Sequence, residues 1–157
     1  MKVSLIYVGK TKENYLQEGE KEYFKRINRY ISFDLVEIPD IKNVKNKSEE
    51  EIKILEGDII LKKLKNTDYV VLLDENGRQF TSIQFADYMQ RQFNAGSQGL
   101  IFIIGGAYGF SEALYQRADA KLSLSKMTFS HQMVRMFFME QLYRGMTILN
   151  NEPYHHQ

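Results

Sequence analysis

The histidines of the chain are confined to its C-terminal part, where two arginines also lie. All three histidines, His131, His155 and His156, are found there, together with Arg135 and Arg144. An imidazole can exchange a proton near neutral pH, and a guanidinium binds phosphate or stabilises an anion. With no His-x-x-x-His pair and no cysteine, a metal site is the weaker interpretation. We expect a proton acceptor or an RNA contact, with a flexible polar tail as the alternative.

The two arginines cannot serve the same site on a straight helix. Arg135 and Arg144 are nine residues apart, which at 100° per residue places them about half a turn out of phase. Glu140 precedes Arg144 by four residues, the spacing of a helical ion pair. Arg144 is therefore either the partner of Glu140 on the surface or a phosphate-binding group.

Two glycine-containing segments resemble nucleotide-binding loops but lack a required residue. A phosphate-binding loop ending at residues 9–11 would need glycine at position 4, which is Ser4. A dinucleotide fingerprint at residues 105–109 would need glycine at position 104, which is Ile104. The second segment is explained either by a turn with positive φ at two glycines or by a ligand lying against bare backbone.

Apolar runs of strand length alternate with segments of helical spacing along the chain. This alternation predicts an α/β fold with a mostly parallel sheet and helices on both faces, and residues 100–104 should form its buried central strand. Residues 74–77, Asp-Glu-Asn-Gly, predict a turn. The expected strands are 3–8, 33–38, 69–73, 100–104 and 120–124, and the expected helices are about 13–30, 48–64, 81–94, 111–117 and 130–149.

The composition is that of one globular domain. The chain has 157 residues, of which 43% are hydrophobic and 26% are charged, and no apolar run approaches the roughly 20 residues that span a bilayer. The N-terminus has the pattern of a first strand and not of a signal peptide, so we expect a cytoplasmic protein without a membrane partner. A net charge of +1 provides no long-range field for nucleic acid, so any such partner must be recognised locally.

The last predicted helix is apolar on more than one side. Five of the seven methionines lie within or just before it, accompanied by aromatic and aliphatic residues. Packing on the core accounts for one apolar face. A second such face in a small chain predicts a partner helix, most simply from another copy of the same protein.

Several motifs together closely resemble the bacterial ribosomal RNA large subunit methyltransferase H family, the pseudouridine N3-methyltransferases of the SPOUT superfamily. They are Val-Gly-Lys at 8–10, IIGGAYG at 103–109, LSLSKMTFSHQMVR at 122–135, EQLYR at 140–144 and YHH at 154–156. The resemblance covers the whole chain. It implies a single SPOUT domain over residues 1–157, a C-terminal deep trefoil knot and a homodimer.

The resemblance also implies a cofactor, S-adenosylmethionine, and no metal. The positions that match the family's cofactor contacts are one residue at the end of a strand, one in the glycine segment, and six in the segment that follows the last strand. They are Leu73, Gly105, Leu124, Ser125, Lys126, Met127, Thr128 and Phe129.

The implied substrate is a pseudouridine in a hairpin of 23S rRNA near the decoding region, methylated in the assembled 70S ribosome. The matching catalytic positions are Arg144, Tyr154 and His155, and the matching RNA-binding positions are His131 and Arg135. A positive group near the acceptor nitrogen favours its anion, for which Arg144 or Arg135 is a candidate. His155 or Tyr154 is the candidate proton acceptor. A SPOUT enzyme acting on another RNA such as tRNA, and a non-catalytic ribosome-binding module, are the alternatives.

Overall fold

A computed structural model describes residues 1–156, which form a five-stranded parallel sheet between two layers of helices. The strand order is β2-β1-β4-β3-β5, and every named pairing is parallel. The strands are β1 (Lys2–Val8), β2 (Ser32–Ile38), β3 (Asp68–Gln79), β4 (Gly99–Ile104) and β5 (Ala120–Ser123). The helices are α1 (Asn14–Ile27), α2 (Glu49–Lys63), α3 (Ser82–Asn94), α4 (Glu112–Arg117) and α5 (His131–Leu149), with a short 3-10 turn at Val44–Asn46.

Strand β4 is central and buried on both faces, as its unbroken apolar sequence predicts. All six of its residues are buried, and it pairs with β1 and β3. One face of the sheet packs against α1, α3 and α5 through residues such as Phe102 and Phe138, whose rings lie 4.6 Å apart. The other face packs against α2 and α4 through residues such as Ile103 and Leu114. The predicted α/β class with helices on both faces is confirmed.

Hydroxyl side chains begin four of the helices at the positions that the sequence predicts. Ser48, Thr81, Ser111 and Ser130 each accept a hydrogen bond from a backbone N–H in the first turn of α2, α3, α4 and α5. These bonds satisfy N–H groups that have no partner within the helix. Each helix follows a strand, or a loop after a strand, so the helix starts gather at the carboxyl edge of the sheet.

Strand β3 differs from the prediction, because residues 74–77 do not end it in a turn. The strand continues to Gln79, with a register irregularity between Leu73 and Arg78 where it pairs with β5. A Cβ on Gly77 would lie 2.6 Å from the backbone nitrogen of Leu122, so glycine at this position permits close approach of two strands. Helix α1 is also shorter than expected, ending at Ile27.

No helix within residues 1–156 is long and apolar enough to cross a membrane. The trefoil knot implied by the resemblance stays a prediction.

Candidate active site

A cavity of about 430 Å³ opens at the carboxyl ends of β3, β4 and β5. Parallel α/β sheets bind their ligands at this edge, because strand ends and helix starts converge there. Three segments line most of the cavity: residues 73–76 from β3, 104–110 after β4, and 122–131 between β5 and the start of α5. The expected contacts Leu73, Gly105 and His131 all lie in its wall.

The glycine segment after β4 is fixed by close packing more than by unusual backbone angles. Gly109 has φ of +89°, whereas neither Gly105 nor Gly106 has positive φ, so the structure does not show the turn with two positive-φ glycines that was one of the two alternatives. A Cβ on Gly105 would lie 3.2 Å from the carbonyl of Gly109, and one on Gly106 would lie 2.7 Å from the buried carboxylate of Glu56. Bare backbone is therefore needed here to admit neighbouring protein atoms, and both glycines also face the cavity.

The segment between β5 and α5 folds over the cavity through the side chain of Ser125. Its hydroxyl accepts from the backbone N–H of Met127 at 3.0 Å, and its carbonyl accepts from Ser123 at 3.0 Å. Met127 is 75% exposed, a high value for an apolar side chain. Five of the six expected contacts line the cavity, namely Leu124, Ser125, Met127, Thr128 and Phe129. Lys126 is exposed and is not part of the lining.

The sequence prediction missed a group of polar residues that line the same cavity. Asp74, Glu75 and Asn76 belong to the irregular part of β3. Tyr115 donates a hydrogen bond to Asp74 at 2.6 Å. Burial, and then this hydrogen bond, raises the pKa of Tyr115 to about 12. Two carboxylates directly after a buried strand could have indicated a binding site at the strand end. The pattern of residues 74–77 instead predicts a turn.

His131 lies where the cavity meets the start of α5. Burial lowers its pKa, the charges of Arg135 and Lys12 lower it further, and Asp40 acts in the opposite direction. The imidazole is therefore held in its neutral form at neutral pH. A neutral imidazole can both donate and accept a hydrogen bond, which suits contact with an RNA base.

Arg135, expected as an RNA contact, is instead buried inside the protein. Its side chain is 1% exposed, and it donates hydrogen bonds to the carbonyl of Val8 at 2.6 Å and the hydroxyl of Thr11 at 2.9 Å. Its guanidinium also stacks 4.2 Å from the ring centroid of Tyr7. Because its donors are turned inward, Arg135 joins α5 to the end of β1, and its burial disfavours the expected RNA contact, which stays a prediction.

A second group of expected residues meets near the end of α5. Arg144 donates to the same oxygen of Glu140 from Nη2 at 2.6 Å and from Nε at 3.1 Å, and Tyr154 donates to that oxygen at 2.9 Å. Arg144 Nη1 lies 3.1 Å from Nδ1 of His155. The ion pair between Glu140 and Arg144, one of the two alternatives from the sequence, is present. The structure also places Glu140 at the centre of a network that includes the C-terminal segment.

We call Glu140, Arg144, Tyr154 and His155 the C-terminal cluster. Its hydrogen bonds indicate where the protons lie on His155 and Tyr154. An arginine has no acceptor, so its contact with Nδ1 requires that His155 carries its proton on Nε2 when neutral. Burial, followed by hydrogen bonds with Tyr23 and Glu140, raises the pKa of Tyr154 well above its usual value. Tyr154 is therefore protonated at neutral pH.

The C-terminal cluster and the cavity lie at different ends of α5. Arg144 is thirteen residues beyond His131, which corresponds to about 20 Å along a helix. A groove of about 820 Å³ is lined by residues from both regions, including Leu124 and Phe129 as well as Glu140 and Arg144. Phe137 and Met136 of α5 also line this groove and are half-buried.

Comparisons with known proteins give a consistent family. Residues 1–155 match the family described as "Predicted SPOUT methyltransferase". The chain is 58% identical to "Ribosomal RNA large subunit methyltransferase H" of Flavobacterium johnsoniae and 56% identical to the protein of that name in Parabacteroides distasonis. Both alignments span 157 residues and cover 100% of this chain and 100% of the relative.

A solved structure, the SpoU methyltransferase AviRb from Streptomyces viridochromogenes in complex with the cofactor AdoMet, has a TM-score of 0.42 and 13% identity. The match covers 90% of this chain and 56% of that one, a likeness too low to carry an assignment. The family match and the full-length relatives confirm the resemblance that the sequence motifs indicate. The chain belongs to the SPOUT methyltransferase family, which it shares with the ribosomal RNA large subunit methyltransferase H proteins, and it is a methyltransferase.

Proposed function

We propose that this chain transfers a methyl group from S-adenosylmethionine to N3 of a pseudouridine in 23S rRNA of the assembled 70S ribosome. The observation that carries the proposal is the cavity at the carboxyl edge, which is lined by seven of the eight positions expected to hold the cofactor. The full-length relatives support the choice of rRNA as substrate, because they are named as large-subunit rRNA methyltransferases.

The residues that line the cavity fit S-adenosylmethionine. A volume of about 430 Å³ lies within the range of small-molecule sites. Leu73 and Leu124 offer apolar contact for an adenine ring, and the carboxylates of Asp74 and Glu75 offer acceptors and negative charge for a cationic ligand. When bound, this cofactor supplies the methyl group and leaves without its positive charge. The residues that would hold it are Leu73, Gly105, Leu124, Ser125, Met127, Thr128 and Phe129, whereas Lys126 does not line the cavity.

The C-terminal cluster supplies the groups that the acceptor needs. N3 of pseudouridine must lose a proton before it can bond to the methyl carbon. Arg144 is the positive group that favours the resulting anion, a role for which Arg135 is too deeply buried. His155 takes the proton, because the raised pKa of Tyr154 leaves its phenol already protonated at neutral pH. The imidazole of His155 contacts Arg144, so substrate binding must rearrange this contact before the imidazole can accept.

The separation along α5 supports a homodimer of single-domain chains. About 20 Å of helix divides His131 from Arg144 of the same chain. A two-fold pairing of α5 with its copy would cover the apolar groove and bring Arg144 of the partner close to the cofactor cavity. The side chains of Met127 and Phe129 in the cavity wall are apolar and exposed, which is consistent with such a cover. The substrate would place the protein in the cytoplasm, with no membrane partner.

The test is transfer of labelled methyl from S-adenosylmethionine to 70S ribosomes, separated subunits and tRNA, followed by mapping of the modified nucleotide. The proposal requires label at N3 of a 23S rRNA pseudouridine, with 70S ribosomes as the best substrate. Label on tRNA alone would overturn the substrate. Cofactor binding without label on any RNA would favour a non-catalytic ribosome-binding module.

A further inference from the structure

Five lysines gather at the carboxyl edge of the sheet beside the cofactor cavity. Two lie in the loop between β1 and α1 and three in the loop between β2 and α2. We call this group the lysine rim: Lys10, Lys12, Lys42, Lys45 and Lys47. Four of the five are exposed, and Lys47 is half-buried. None of these residues is among the positions expected for RNA contact or catalysis.

The two loops are held together by the turn at Gly9. Its backbone N–H donates to the carbonyl of Ile38 at 2.8 Å, which joins the ends of β1 and β2. Gly9 has φ of +79°, and a Cβ there would lie 2.8 Å from the carboxylate of Asp40. The two loops that carry the lysines therefore begin at strand ends that are joined to each other.

The lysine rim meets the wall of the cofactor cavity at Lys12. The backbone N–H of Lys12 donates to the side chain of Gln132 at 2.8 Å, next to His131 in the cavity wall. The positive charge of Lys12 also contributes to the lowered pKa of His131. A nucleic acid strand that reached the cavity would thus pass close to these lysines.

No lysine of the rim forms an ion pair within the described residues, and Lys47 donates to the backbone carbonyl of Asn43. Within residues 1–156 the lysines that form ion pairs are Lys2 and Lys53, and neither belongs to the rim. The two loops contain five lysines against two carboxylates, Glu13 and Asp40, although the whole chain carries a net charge of only +1. The two loops themselves are therefore positively charged, although acidic side chains lie nearby in the first turn of α2, at residues 49–51, and in the cavity wall, at Asp74 and Glu75.

We propose that the lysine rim binds the phosphate backbone of the rRNA that flanks the target nucleotide. This inference rests on the proposed function and adds to it a surface for the substrate. Lysine ammonium groups bind phosphates as point charges without reading sequence, so the rim would strengthen and orient binding.

The experiment compares Lys42→Gln/Lys45→Gln with a matched control, Lys62→Gln/Lys63→Gln. The control lysines are exposed and lie at the end of α2, at the opposite edge of the sheet. Methyl transfer to 70S ribosomes is measured at several salt concentrations. We expect KM for ribosomes to rise about tenfold with kcat unchanged, and the slope of log K against log salt to fall by about 2. The control should match the unmodified protein.

Calorimetric binding of S-adenosylmethionine shows that each variant is folded. A rim variant with the KM and salt slope of the control overturns the proposal. If the unmodified protein methylates no rRNA, the proposed function is wrong, but this result does not decide whether the lysine rim binds rRNA. Salt-dependent co-sedimentation with ribosomes then tests the rim separately, and equal binding by rim and control variants overturns it.

Discussion

At the scale of single residues, Glu140 determines where the other members of the C-terminal cluster lie. One of its oxygens accepts from both Arg144 and Tyr154, while its second oxygen accepts from Gln141 at 3.0 Å. Gln141 in turn accepts from Ser82 at the start of α3. Glu140 therefore fixes the guanidinium and the phenol relative to the body of the protein, and we regard it as a positioning residue.

Replacement of Glu140 by Gln should lower kcat for methyl transfer about a hundredfold, because a misplacement of catalytic groups by about 1 Å can have this effect. The amide keeps the shape but has a weaker acceptor and no charge for Arg144. Cofactor binding should be unchanged, since Glu140 does not line the cofactor cavity. Calorimetry and single-turnover transfer measure the two quantities.

Asp87→Asn is a matched control for this variant. Asp87 forms an ion pair with Arg91 at the same spacing of four residues, on the exposed side of α3. Exposed pairs of this kind contribute about 0.3–0.5 kcal/mol, so this variant should keep full activity. Equal activity of both variants would show that the Glu140 network is only a surface feature.

Loss of Arg135 should lower the stability of the protein, whereas loss of Arg144 should lower its activity. Arg135→Gln removes bonds to Val8 and Thr11 and leaves Glu20 without a nearby cation, so the free energy of unfolding should fall by about 3 kcal/mol. Urea unfolding measures this change. An RNA-contact residue would instead raise KM for ribosomes and leave stability intact, which is the result that would restore the original interpretation of Arg135.

At the scale of elements, the sequence predicts most helices and strands because their signals are local. Hydroxyl caps at Ser48 and Ser130 mark helix starts, and the apolar run of β4 marks a buried strand. The continuation of β3 through residues 74–79 could not be predicted from the neighbouring sequence. Its cause is pairing with β5, which lies more than 40 residues later in the chain.

The candidate site shows the same division between local and long-range information. Motifs predict the cofactor segment around Leu124 and Phe129, and both residues line the cavity. The burial of Arg135 could not be predicted, because its partners Val8 and Thr11 come from the opposite end of the sequence. The central role of Glu140 could not be predicted either, because it depends on a hydrogen bond from Tyr154, which lies beyond the end of α5.

The turn at Gly9 provides a prediction for an element, the pair of loops that carries the lysine rim. Gly9→Ala should lower the free energy of unfolding by more than Gly96→Ala. Both glycines have positive φ, which costs an alanine roughly 1–2 kcal/mol. Only at Gly9 would the new Cβ also meet Asp40, because nothing lies within 4 Å of a Cβ at Gly96.

Urea unfolding of both glycine variants gives the comparison, with Gly96→Ala as the measure of backbone strain alone. The excess loss in Gly9→Ala reports the contact with Asp40. Equal losses would mean that the Asp40 side chain moves aside freely, and the two loops would then be less firmly joined than the structure indicates.

At the scale of the whole molecule, the proposed homodimer assigns the two parts of the site to different chains. The cofactor cavity is built by the carboxyl edge of the sheet, and the C-terminal cluster lies about 20 Å further along α5. A symmetric pair would hold two such composite sites. Each would combine the cavity of one chain with Arg144, Tyr154 and His155 of the other.

Mixing two inactive variants tests this arrangement. Gly105→Val should prevent cofactor binding, because its side chain would collide with Gly109 and Phe110 and displace the glycine segment that forms the cavity wall. Arg144→Ala should bind the cofactor but not transfer methyl. Each alone is expected to be inactive. After exchange of subunits, half of the dimers contain one chain of each kind, and each of these has one complete site, so about a quarter of the normal activity should return.

The same mixture decides against the arrangement if each chain builds its own site. A mixed dimer would then contain two defective sites, one lacking the cofactor and one lacking Arg144, and no activity would return. Sedimentation of the mixture verifies that subunits have exchanged, with one variant carrying a size tag. The control is the double variant Gly105→Val/Arg144→Ala mixed with unmodified protein. If each site is shared between two chains, a mixed dimer of this kind has no complete site. If each chain builds its own site, the unmodified chain keeps one active site.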